Sequence, residues 1–223
     1  MRCRKGELIL HAEDDTSAMF YIESGFVKVY SLNSRGEEYI LVVYGPGEFF
    51  PLLWLSRQGR RSVFYEALSA CTLRKAKSED LEAAVRTNSQ LSFEIIERAL
   101  EQHGVFIDRI NNLQYRFARE RLVFCLLYLA RRFGIVTDNE YEIGLRVSHQ
   151  VLASNINLSR ESVGREIDRL VRKGMIMMRG GHIVLKDIQG LIAELPGSSV
   201  SGDWWGLITS ARDVIRRQIP PIA

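Results

Sequence analysis

Arg160, Glu161 and Arg165 fall within the string Ser159-Arg-Glu-Ser-Val-Gly-Arg165. On a helix, positions four residues apart share a side, so Glu161 and Arg165 would stand together near one helix end, with Arg160 immediately before Glu161. An arginine grips guanine O6 and N7 with both arms of its guanidinium, and a glutamate accepts a hydrogen bond from cytosine N4. The trio therefore has the chemistry to read base edges. Ser159 and Ser162, with the backbone amides of a helix start, suit phosphate oxygens, where the helix dipole favours negative charge. Ser148, Arg169 and Arg179 extend the set of candidate phosphate contacts, with Arg172 and Lys173 beyond them. The same side chains on an ordinary helical hairpin would form only a solvated charged face, so the surrounding elements must decide.

Those elements read as helix, tight turn, helix. Ser148 is a good N-cap for the first helix, Ala153 is small where two helices must cross, and Ser159 caps the second. Asn157 sits at the turn position that requires a left-handed backbone, which asparagine tolerates better than other non-glycine residues. Val151, Leu152, Ile156, Leu158, Val163, Ile167 and Leu170 form one apolar face, and Arg160, Glu161, Gly164, Arg165, Asp168 and Arg169 fall on the other. Immediately afterwards, apolar runs from Met175 to Lys186 flank Arg179-Gly180-Gly181-His182, a hairpin signal because adjacent glycines supply positive φ. A helix-turn-helix with a wing points to double-stranded DNA as the partner, its second helix entering the major groove.

Upstream the pattern is different. From Glu7 to about Lys77 the period is two, in short runs at Leu8–His11, Met19–Ile22, Phe26–Leu32, Tyr39–Tyr44, Ser62–Leu68 and Thr72–Arg74, with turn residues between them. This predicts an antiparallel barrel or sandwich within residues 1–87. Ser78-Glu-Asp-Leu opens a helix with acids in its first turn, and Asn88-Ser89 opens a much longer one, placed at 88–117. Steps of three and four along it give Ile96, Ala99, His103, Phe106, Ile110, Leu113 and Phe117, a seam that calls for a partner helix and so for a parallel homodimer. His103 in that seam is a candidate pH sensor. Residues 118–195 hold a strongly apolar helix to Phe133, a loop over 134–142, a short strand over 141–147 and the winged motif. Pro196 to Gly202 reads as a linker. The tail beyond it, to residue 223, carries an apolar helical stripe from Trp204 to Ile219 that is expected to pack on the dimer.

The composition narrows the function classes. With 223 residues, 30 Lys plus Arg against 27 Asp plus Glu, and 46% hydrophobic residues, the chain can bury one large or two small cores. The longest apolar run, Leu122–Ala130, is far short of the roughly 20 residues of a membrane span, and no leader peptide is visible, so the cytoplasm is the expected location. Three cysteines, Cys3, Cys71 and Cys125, and four histidines lack metal-ligand spacing. No nucleophile, base and orienting acid share a string, so no enzyme activity and no metal are expected.

Lys5-Gly6-Glu7, the run from Phe20 to Tyr30, Gly47-Glu48-Phe49, Arg61-Ser62, the long helix and above all Ser159–Arg165 resemble the Crp/Fnr superfamily of bacterial transcription regulators. The likeness spans almost all of residues 5–195. It implies an α+β fold: an N-terminal antiparallel β-roll of the cyclic-nucleotide-binding jelly-roll type, a long dimerisation helix and a C-terminal winged helix-turn-helix. It further implies that Arg160, Glu161 and Arg165 read TGTGA-like half-sites, and that RNA polymerase is a possible partner. In members that bind cAMP, the pocket corresponds to Glu48, Phe49, Arg61 and Ser62, with Phe106 and Ile107 where the long helix meets adenine. The chain departs from that pocket: Pro51 removes an amide, bulky residues occupy 49–55, and Phe106 and Ile107 cannot make the adenine hydrogen bonds. cAMP is thus possible but disfavoured against a roll filled by its own aromatic residues. Iron-sulfur sensing is unsupported, since only Cys3 lies early in the chain. The rival reading is a cyclic-nucleotide sensor module whose helical half binds protein rather than DNA.

Overall fold

The computed structural model describes residues 1–12, 14, 18–51, 62–137 and 140–196. Arg61 and the tail beyond Pro196 lie outside the described residues. The chain divides into two compact units, residues 1–114 with 153–157, and residues 115–152 with those from 158 onward.

The first unit is built on two four-stranded antiparallel sheets. One has the order β1-β8-β3-β6 and the other β2-β7-β4-β5, from strands β1 (Arg2–Cys3), β2 (Leu8–Leu10), β3 (Ala18–Ser24), β4 (Val27–Leu32), β5 (Glu38–Tyr44), β6 (Phe49–Phe50), β7 (Phe64–Ala67) and β8 (Cys71–Lys77). Alternation along these strands buries Phe20, Ile22, Val27, Val29, Val42, Tyr44, Phe50, Tyr65, Ala67 and Leu73. Two short strands, β1 and β6, were not foreseen, because two residues are too few to show a period. On β4, buried Lys28 pairs with Glu38 at 2.6 Å and Glu66 at 3.2 Å. Its ammonium lies 4.5 Å from the Tyr30 ring centroid. Burial, then Glu66 and Glu38, push the Tyr30 phenol up to about 12.

Strand β8 runs directly into α1 (Ser78–Thr87), whose first turn carries Glu79 and Asp80 as expected, although Lys77 rather than Ser78 holds the cap position. The long helix α2 covers Ser89–Gln114. Asn88 begins it, its side-chain oxygen accepting from the Leu91 amide at 3.1 Å. Ile95, Gln102, Val105 and Asn112 are buried, at intervals that follow one side of the helix. A neighbouring side, about a quarter turn round the helix, leaves Ile96, Phe106 and Ile110 exposed at 55%, 42% and 58%. Phe117 does not continue this seam. The helix ends at Gln114, and Phe117 is the extended cap of the next helix, its amide donating to Glu120 at 3.2 Å.

In the second unit, α3 (Ala118–Phe133) is the central element, with Leu122 to Leu127, Leu129, Ala130 and Phe133 buried. It packs on α5 (Arg160–Arg172), α6 (Ile188–Ala193) and strands β9 (Gly134–Thr137) and β10 (Glu140–Ile143). The loop expected over 134–142 is therefore a strand pair, with Thr137 opposite Glu140 and Gly134 opposite Ile143. Ile135 and Val136 are exposed, so they gave no alternation between buried and polar positions to read. Strands β11 (Ile176–Arg179) and β12 (His182–Leu185) complete a sheet of order β11-β12-β10-β9. Their turn is Gly180-Gly181 with φ of 56° and 85°, the positive values that the glycine pair predicted. Among the described residues no helix is long and apolar enough to cross a membrane.

Candidate DNA-reading helix and sensor interior

Helix α4 (His149–Ile156) starts at Ser148, whose hydroxyl accepts from the Val151 amide at 3.3 Å. The chain then turns at Asn157 with φ 55°, the one non-glycine residue at positive φ among the described residues. Ser159 caps α5, accepting from the Ser162 amide at 3.1 Å. Such a cap contributes about 1 kcal/mol and fixes where the helix begins. Leu152, Ala153, Ile156, Val163, Ile167 and Leu170 are almost fully buried, while Arg160, Glu161, Arg165 and Asp168 are exposed. At Gly164 a Cβ would stand 3.6 Å from His149 Nδ1, an ordinary van der Waals contact between the two helices.

The first turn of α5 is electrostatically tuned. The Glu161 carboxyl is held below the usual carboxylate range by its own backbone amide, by the Ser159 hydroxyl and by Arg160 and Arg165. It is ionised at neutral pH and acts only as an acceptor. Arg165 Nη2 donates to Ser162 Oγ at 3.0 Å, and the Ser159 and Ser162 hydroxyls are 3.0 Å apart. The three expected base-reading residues thus share an exposed helix start, with both serines hydrogen-bonded along it.

Two of the arginines expected at phosphates are paired with carboxylates in the DNA-free chain. Arg169 donates to Glu166 at 2.7 Å and to Glu194 at 3.2 Å, and Lys173 donates to the same Glu194 at 2.6 Å. Arg179 donates to Glu140 at 2.6 Å, and Lys186 also pairs with Glu140. Arg172 remains exposed. Periodicity showed that Arg169 leaves the apolar face, but it could not show a partner 25 residues away.

Lys173 and then Arg169 hold the Glu194 carboxyl below its ordinary value. A depressed carboxyl contributes stability that is complete above its unfolded-state value and is lost as pH falls through the folded one. Glu194→Gln is expected to cost about 1 to 2 kcal/mol at neutral pH. Its thermal melts should converge on those of the wild type as pH drops below the ordinary carboxylate range. A gap between the two melts that stays constant down to that acid range would assign the loss to something other than charge.

In the β-roll unit the described members of the expected effector set are Glu48, Phe49, Ser62, Phe106 and Ile107, and Arg61 lies outside the described residues. Glu48 accepts from the Gly45 amide at 2.6 Å, closing its own turn, and that turn hooks onto β3 through Gly47 N to Ile22 O at 2.9 Å. Phe49 is buried, Ser62 is exposed, and Phe106 and Ile107 are 42% and 46% exposed in the chain. From α2, Gln102 hydrogen-bonds to the roll, donating to Phe49 O at 2.9 Å and accepting from Tyr44 Oη at 3.4 Å. A polar residue off the apolar seam carried no signal for this role. Around Phe50 the rings of Phe20, Tyr44 and Tyr65 stack with centroids at 5.5, 5.8 and 5.2 Å. Among the described residues no group of three or more His, Cys, Asp or Glu could hold a metal ion.

Comparison with known proteins agrees with this arrangement. A cyclic nucleotide-binding domain model matches residues 1–88, and a Crp-like helix-turn-helix domain model matches residues 120–194. The cAMP-activated global transcriptional regulator CRP of Haemophilus influenzae is 24% identical over 178 residues, covering 79% of each chain. The global nitrogen regulator of Nostoc sp. is 29% identical over 184 residues, covering 81% of this chain and 82% of its own. The structure of FixK2 from Bradyrhizobium japonicum superposes with a TM-score of 0.78 at 22% identity, covering 89% of this chain and 98% of that one.

Proposed function

Since the chain belongs to the Crp/Fnr superfamily of DNA-binding transcription regulators, we propose that it works as a homodimer reading a palindrome of TGTGA-like half-sites. The observation that carries this reading is the Ser159-capped start of α5, which presents Arg160, Glu161 and Arg165 together in solvent. Support for the dimer comes from α2: one side is buried against its own unit, and the other leaves Ile96, Phe106, Ile110 and Leu113 exposed. A monomeric helix of 26 residues gains nothing from a second apolar side. Two-fold DNA sites need two recognition helices about 34 Å apart, which one chain cannot supply. Ser148, Ser159, Ser162 and exposed Arg172 are the candidates for phosphates, and Arg169 and Arg179 act first as struts within their own unit. The bound dimer would recruit or exclude RNA polymerase in the cytoplasm.

The stacked rings around Phe50 favour DNA binding that does not require cAMP. Electrophoretic mobility shift with a TGTGA palindrome, across a salt series and with or without saturating cAMP, is the test. The expected result is a sequence-dependent shift that weakens steeply with salt and is indifferent to cAMP. Equal binding to scrambled DNA would remove the proposal, and a shift that appears only with cAMP would restore the nucleotide pocket. The rival sensor module, whose helical half would bind protein, predicts no shift at all.

A further inference from the structure

The cysteines at positions 3 and 71 are 68 residues apart in sequence but directly opposite in the β1–β8 ladder. Both are free thiols, each 4% exposed. Two positions along the same ladder, Met1 and Leu73 exchange both backbone hydrogen bonds at 2.8 Å. Hydrogen-bonded and non-hydrogen-bonded pairs alternate in an antiparallel ladder, so Cys3 and Cys71 form another hydrogen-bonded pair, with a Cα separation of about 5.5 Å. That falls at the most common disulfide separation, about 5.5–6 Å. The position of Cys71 is fixed. Its Sγ contacts Phe26 O and Ser69 O at 3.2 Å each, and a Cβ at Gly25, φ 88°, would stand only 2.6 Å from it.

We propose that Cys3 and Cys71 form a reversible redox pair, a modification site for hydroperoxides that staples the edge strand β1 to β8. Opening of β1 admits the oxidant, because a two-residue edge strand separates at far lower free energy than the central strands. The Cys3 sulfur attacks one peroxide oxygen, the O–O bond breaks, and the first water or alcohol leaves, giving a sulfenic acid at Cys3. The Cys71 thiolate then displaces hydroxide from that sulfur, forming the S–S bond and, with the Cys71 proton, a second water. Two thiols are oxidised by two electrons and the peroxide is reduced by two. Burial pushes both thiols up, with Glu7 and Cys71 adding to the effect at Cys3, so oxidation is slow at neutral pH and quickens as pH rises.

The experiment treats the full-length protein with hydrogen peroxide and follows thiol titration, intact mass and a non-reducing peptide digest. The expected result is a fall from three thiols to one, a loss of two hydrogens in mass, and a Cys3 peptide joined to the Cys71 peptide within one chain. The melting temperature should rise by about 5–10 °C. Dithiothreitol should reverse all of this, and Cys3→Ser should keep the reduced melting temperature and lose the cross-link. Should Cys3→Ser fail to fold, Cys71→Ala provides the same comparison. Added oxygen without a cross-link, a link to Cys125, a link between chains, or three persistent thiols would each overturn the proposal.

Discussion

Ile110→Asp will leave the protein monomeric at micromolar concentration. Ile110 lies along the exposed apolar side of α2, 58% accessible in the single chain, and in the proposed homodimer a two-fold axis along that side would set it against its own copy. Two carboxylates would then be buried side by side, a cost of several kcal/mol. A monomer carries one recognition helix and gives up the second half-site. Affinity for a palindrome should therefore fall by about 10²–10⁴-fold, while binding to non-specific DNA changes far less. Sedimentation equilibrium checks the first statement and a mobility-shift titration the second. A variant that remains dimeric would show that the apolar side of α2 serves another purpose.

Arg165→Ala will erase the preference at one base pair in each half-site. If its guanidinium holds a guanine by two hydrogen bonds, removing it costs about 1–3 kcal/mol of discrimination per half-site, roughly 5- to 150-fold. In the unbound chain the side chain is hydrogen-bonded to Ser162, so binding must exchange that contact for the base. The measurement compares affinities for palindromes substituted at each position in turn, at one salt concentration. The variant should bind sites altered at the arginine-read position as well as the parent palindrome, and still discriminate elsewhere. Unchanged discrimination at every position would remove Arg165 from the base-reading set.

What was legible in the sequence was local. Asn157 and Ser159 impose their geometry within three residues, and Gly180-Gly181 fixes a turn by itself, so the turn and wing of the DNA-reading unit could be read directly. Features set by distant partners were not legible. Arg169 carried no mark of Glu194, and Cys3 none of Cys71, because register across a sheet is decided by every strand between them. Steps of three and four run through Phe117 with no proline and one glycine, Gly104, so the periodicity places it on the long helix. The break at Gln114 comes from the competing start of α3, where Glu120 satisfies the Phe117 amide. The aromatic residues of the roll are visible in the sequence as a group, but the role of Gln102 is not, since it depends on meeting one particular carbonyl.

The two sides of α2 also restrict how this segment can change in length. Gln102 is held against the roll while Ile110, about 80° round the helix, stands exposed, so both sides are in use. Inserting or deleting one residue rotates everything beyond it by about 100° and puts apolar side chains where Val105 or Asn112 is buried, and the reverse. Seven residues rotate the helix by nearly two full turns and restore both sides to within about 20°. Changes in helix length that keep both sides in place therefore come in steps of seven or of eleven residues, each of which returns the faces to within about 20°.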